Sequence, residues 1–183
     1  YTNFGVKNPE RTSGGRRSPQ YGASRDGFYW NDHIMPEKNA IDHFTYDSKA
    51  AKAMRNEGFG LVNTHSMDGI ARGTGLLVAL NDQGNQAMRI IDDGLAQHYS
   101  FSKSVTSGQS YPGSLMGAMA LLRQLYHDAH WYEKGNIPTK DRSLEALLKN
   151  KNKVSIFEAG NKSNNLRAAK IGNQFGINYL IVG

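Results

Sequence analysis

The chain has 183 residues, 38% of them hydrophobic and 10% aromatic, with 22 lysines and arginines against 16 aspartates and glutamates. That length suits one domain, or part of one, with a core of its own, and a formal charge of +6 attracts anions without requiring nucleic acid as a partner. No cysteine is present, which excludes disulfides, thiolate metal sites and a cysteine nucleophile, and no stretch nears the ~18 apolar residues of a membrane span, so no membrane partner is expected.

Residues 1–32 carry Gly5, Gly14, Gly15, Gly22, Gly27, Pro9 and Pro19 among Arg11, Arg16, Arg17 and Arg25, with neither a helical nor a strand period. They read as an irregular basic arm, and a mean hydropathy of -0.60 for the whole chain fits much solvated backbone of this kind. Its aromatic residues Tyr21, Phe28, Tyr29 and Trp30 either anchor it on the body or interleave with the arginines as a nucleic-acid surface, and anchoring is the favoured reading. Residues 33–183 read as an α/β domain. Asp47 and Ser48 offer capping oxygens to a helix through Ala50, Ala51, Ala53 and Met54 that Gly58 ends, and Phe59–Thr64 follows as a strand.

The segment His65–Gly75 is the densest polar stretch. His65, Asp68 and Arg72 are the candidate ligand-binding residues, able to hold a polar or anionic group at a strand end, while Asp68-Gly69 and Arg72-Gly73-Thr74-Gly75 are also ordinary turn chemistry. No Gly-Lys-Ser/Thr follows and no helix opens after the glycines, which disfavours nucleotide binding. Thr74–Leu80, a turn over 81–85 and Ala87–Ile91 predict a hairpin, with Gln97–Phe101 as a third short strand. The longest helix is predicted to begin at Tyr111-Pro112, with Leu115, Met119, Leu122, Tyr126 and Ala129 as its core stripe. His127 and His130 on it lie three apart, close enough to share a metal if a carboxylate arrived from elsewhere, and equally suited to capping carbonyls at a helix end.

After a break at Gly135–Pro138, Asp141 or Ser143 caps a helix through Leu144 and Leu148. Strand Val154–Phe157, a turn from Glu158, a helix stopped by Gly176 and strand Asn178–Val182 then form a βαβ unit. Glu158 stands at the carboxyl end of a parallel strand, the face where such folds place ligands, and a carboxylate there also serves the next helix N-terminus. An apolar strand closing the chain leaves an open sheet edge, so the expectation is a piece of a larger α/β protein, its edge covered by a second copy or by the arm.

The stretches Gly60–Gly75, Tyr111–Gly117 and Ile156–Ala159 resemble internal parts of the amidohydrolase superfamily, of the imidazolonepropionase-related type found in exported bacterial proteins. The resemblance covers nearly the whole chain. It implies a middle portion of a distorted (β/α) barrel with parallel βαβ units and a small antiparallel hairpin, an exported parent, and a parent activity of metal-dependent hydrolysis of non-peptide carbon–nitrogen bonds in a small-molecule substrate. It also implies a divalent metal such as zinc in the parent, held by a His-x-His pair, a lysine or carboxylate, two further histidines and an aspartate. This chain has no His-x-His, and Glu158 stands where the resemblance places the histidine after the fifth strand. Glu158 is therefore the candidate metal ligand, no metal is expected on this chain alone, and the remaining histidine and aspartate are expected beyond Gly183.

Overall fold

The computed structural model describes residues 1–11, 25–135 and 139–183. Arg16, Arg17 and Tyr21 of the arm, with its glycines 14, 15 and 22 and Pro19, and residues 136–138 of the predicted break lie outside the described residues.

Local signals position the helices. Asp47 accepts from the Lys49 and Ala50 amides and opens α1 (Ser48–Asn56), and Asp141 accepts from Ser143 and Leu144 at the head of α4 (Arg142–Lys149), each carboxylate satisfying amides that the helix cannot. The longest helix, α3 (Leu115–Glu133), starts on a Ser114 cap, three residues later than predicted. Tyr111 and Pro112 stay outside it because the Ser114 hydroxyl takes the Gly117 amide and defines the first turn. Leu122, Tyr126 and Ala129 of the predicted stripe are buried, joined by Ala118, Leu121 and Leu125, while Leu115 and Met119 are half-buried. That wider face meets two neighbours, α4 and α5 (Lys162–Phe175). Gly176 ends α5 in the left-handed conformation, φ 68°.

Two sheets form. In the first, β1 (Leu61–Thr64), β3 (Leu76–Ala79) and β4 (Ile90–Asp92) run antiparallel in the order β1-β3-β4. The predicted hairpin is present with a later return strand, because residues 86–89 make a helical turn, α2 (Gln86–Arg89), capped by Asn85. The second sheet has the order β2-β5-β6-β7, with β2 (Ala71–Thr74) antiparallel to β5 (Ala96–Ser100), and β5, β6 (Val154–Glu158) and β7 (Tyr179–Val182) parallel. The fold is thus mixed α/β with one antiparallel and one largely parallel sheet, and the described residues do not close a barrel.

Two expectations are corrected. Arg72-Gly73-Thr74 is not turn but strand, buried at every position of β2. Residues 34–39 supply what turn chemistry could not foretell: Ile34 bridges Ala71, Asn39 bridges Thr74, and the Thr74 amide donates to the Lys38 carbonyl at 2.9 Å. The strand predicted at 97–101 is no third member of the hairpin. It lies inside the second sheet, buried throughout, between β2 and β6.

The strand predicted over 74–80 is interrupted at Gly75, where the chain passes from one sheet to the other. The Gly75 amide donates to Ala96 of β5 at 2.8 Å, while the residues after it pair with β1. The larger core packs Leu121, Leu122 and Leu125 of α3 and Ile171 of α5 on Phe157 and Tyr99. The smaller joins Val62, Leu76 and Val78 to Phe4, Val6 and Phe44, so the first residues of the chain are part of it. Thr2 bridges Thr64 in parallel, which lays residues 1–4 along β1.

Candidate functional site at the strand ends

Successive side chains of a strand face opposite ways, and β5 uses both faces. Tyr99 contacts Tyr126 of α3 and Phe157. His98, on the opposite face, stacks on His65, which follows β1, with ring centroids 3.9 Å apart and planes within 13°. The Tyr1 ring covers the pair, 4.5 Å from His65 and 5.6 Å from His98. Arg72 enters at a bulge: Ala71 pairs with Tyr99 and Gly73 with His98, leaving Arg72 as the extra residue of β2. Its Nε donates to the Gly69 carbonyl at 3.1 Å, and Nη1 donates to Oε2 of Glu158, with which it forms an ion pair. The Tyr1 hydroxyl donates to the same carboxylate oxygen at 3.2 Å.

The structure thus brings His65, Arg72 and Glu158 together. Asp68, only four residues before Arg72, is engaged elsewhere. Its carboxylate accepts from the Ser104 hydroxyl at 2.7 Å and the Val105 amide at 2.8 Å, and at 2% exposure it fastens the 104–106 loop. Asp68→Ala removes two bonds to a buried charge and is expected to lower stability by about 2–3 kcal/mol in urea denaturation, without disturbing the Arg72–Glu158 pair. His127 and His130 are exposed on α3, His127 edge-on to Phe175. No group of three or more metal-binding side chains occurs among the described residues.

Sequence reasoning missed two members. His98 lies in a strand without apolar alternation, and only the neighbouring Tyr99 and Phe101 mark it as a strand at all. Tyr1 carries no local signal, since its place depends on Thr2 meeting Thr64, 62 residues further along the chain.

Charge is sharply organised here. Burial, reinforced by the Arg72 guanidinium, lowers His65 to about 4, although Glu158 and the Thr2 backbone pull the other way. Burial, then His65 and Arg72, lowers His98 to about 2. Both rings are neutral at pH 7 and fully buried; the Thr2 backbone lies near His65, and none of the four ring nitrogens makes a hydrogen bond of good geometry among the described residues. Burial opposes ionisation of Glu158, yet the bonds and charge from Arg72 outweigh it and hold the carboxyl below its ordinary value.

The divalent metal that the resemblance implies does not fit these residues as they stand. A metal ion sits in the plane of each imidazole that binds it, about 2.0–2.1 Å from the nitrogen. Stacked rings tilted by 13° share no in-plane point within that reach. Gly75 runs close beside His98, since a β-carbon there would overlap Nε2 and lie 2.8 Å from the Asn63 side-chain oxygen.

A mixed sheet joined to a smaller antiparallel one, with polar side chains gathered where β1, β2, β5 and β6 meet, defines the class as an α/β fold with a strand-end site. The chain is similar to the crystal structure of an amidohydrolase from Thermotoga maritima MSB8, with a TM-score of 0.64 and 17% sequence identity over 90% of this chain. The match spans 49% of that protein, so the chain corresponds to about half its length. At that identity the likeness concerns the fold. No protein-family model and no curated protein matches the sequence.

Proposed function

We propose that this chain is a core segment of an amidohydrolase-like protein and does not turn over substrate by itself. The parent activity would be metal-dependent hydrolysis of non-peptide carbon–nitrogen bonds, with this segment supplying scaffold. The observation that carries the reading is the likeness to an amidohydrolase fold along 90% of the chain, joined to a site whose principal carboxylate, Glu158, is already bound by Arg72 and Tyr1. A general base or metal ligand needs free lone pairs directed at water or substrate. Both bonds commit Oε2 of Glu158 to its own chain, and only Oε1 is left to meet water or substrate.

Assayed against a panel of lactams, hydantoins and N-acyl amino acids with added zinc or manganese, the 183-residue chain is expected to give rates equal to buffer. Metal-dependent turnover that disappears in Glu158→Gln would contradict the proposal. The alternative, a noncatalytic module that binds a small anion through His65, Asp68 and Arg72, has less support, because Asp68 faces the 104–106 loop and the Arg72 guanidinium already holds a carboxylate.

A further inference from the structure

We propose that Arg72 supplies from within the chain the positive charge that a divalent metal supplies in the family the sequence resembles, so that the Tyr1–His65–Arg72–His98–Glu158 centre is metal-independent. The inference rests on the amidohydrolase-like reading of the fold and adds a role for one residue that this reading does not contain.

Arg72 is 4% exposed and held at two points, by Nε on the Gly69 carbonyl and by Nη1 on Glu158. A guanidinium so fixed cannot swing away to admit another cation, because leaving would strand a buried charge without its partner. It satisfies Glu158 through a charge-assisted hydrogen bond, as a metal would through a coordinate bond, and it does so without a vacant position for water. A divalent ion brought to Glu158 would meet the repulsion of this guanidinium at close range. The histidines complete the case. Their stacked rings cannot turn nitrogens toward one ion without parting. The centre is therefore an internal clamp: Arg72 of β2 to Glu158 of β6, across the β5 strand that lies between them.

The test is a metal response that appears only when the guanidinium is removed. Zinc chloride titrated into the wild-type chain is expected to leave the melting temperature and the His65 and His98 imidazole resonances unchanged. Arg72→Met, which keeps the aliphatic stem and removes the charge, is expected to melt lower, to regain part of the loss with zinc, and to bind zinc at least about tenfold more tightly than wild type. Arg72→Lys retains a cation and should show no regain. Adding Glu158→Gln to Arg72→Met should abolish it, which separates this centre from the exposed histidines.

Wild-type stabilisation by zinc accompanied by shifted His65 or His98 resonances would overturn the inference, as would an Arg72→Met chain that melts with wild type and ignores zinc. If Arg72→Met does not fold, the wild-type resonances alone decide. Hydrolysis that persists in chelator would overturn the proposed lack of turnover and leave this inference standing, so the two fail separately.

Discussion

Gly73→Ala is expected to prevent the chain from reaching a stable folded state. Gly73 has φ 82°, a region a β-carbon disfavours, and that alone costs about 1 kcal/mol. The larger effect is steric. A β-carbon there would overlap the carbonyl of Lys38 and lie 2.7 Å from its carbonyl carbon and 3.1 Å from its Cα. These are backbone atoms that cannot rotate aside. Relief requires residues 34–39 to move off β2, which breaks the bridges Ile34–Ala71 and Asn39–Thr74 and the Thr74–Lys38 hydrogen bond. Such combined strain and lost pairing belongs with substitutions costing more than about 4 kcal/mol.

Gly60→Ala is the matching control. Gly60 has no positive φ, and a β-carbon there meets nothing within 4 Å. It should change stability by no more than about 0.5 kcal/mol. Circular dichroism melts of the two variants check the prediction, and a cooperative wild-type-like melt for Gly73→Ala would contradict the packing described for 34–39.

The second large effect is acid lability. His65 and His98 are neutral in the folded chain with pKa values lowered to about 4 and about 2, against an ordinary value near 6.5. An unfolded chain therefore takes up protons below pH 6.5 that the folded chain refuses, and stability falls with pH from there down through the folded values. His65 alone accounts for roughly 3 kcal/mol between pH 6.5 and 4. His33, lowered chiefly by burial and next by Lys103, acts in the same direction. Glu158, whose carboxyl lies below its ordinary value, adds a further loss as it protonates and releases Arg72. Urea denaturation at pH 7.5, 6, 5 and 4 should show a steady decline, and His65→Gln should flatten its upper part. Constant stability from pH 7 to 4 would mean that these rings are not buried and neutral.

Where the fold was legible in the sequence, the determinant was local. Asp47, Asp141 and Gly176 act within one helical turn, so the elements they start or stop could be placed from spacing alone. The βαβ unit from Val154 to Val182 was legible for the same reason. The site was half legible. His65, Arg72 and Glu158 were singled out as polar groups beside strand ends, but their assembly needs β2 and β6 to flank β5, a pairing that joins residues 86 apart. Asp68 shows the converse, since four residues of separation on a bent segment put its carboxylate on Ser104 and not beside Arg72. Arg72-Gly73-Thr74 has the composition of a turn and becomes strand because a neighbour on either side supplies hydrogen bonds, a tertiary effect that outweighs propensity.

The most direct measurement is a crystal structure of the chain soaked in zinc chloride, with diffraction recorded on both sides of the zinc absorption edge. The account predicts the Arg72 guanidinium on Glu158, His65 and His98 stacked beside it under Tyr1, and no anomalous peak among them. A zinc peak bonded to Glu158 and either histidine, with Arg72 turned away, would contradict it.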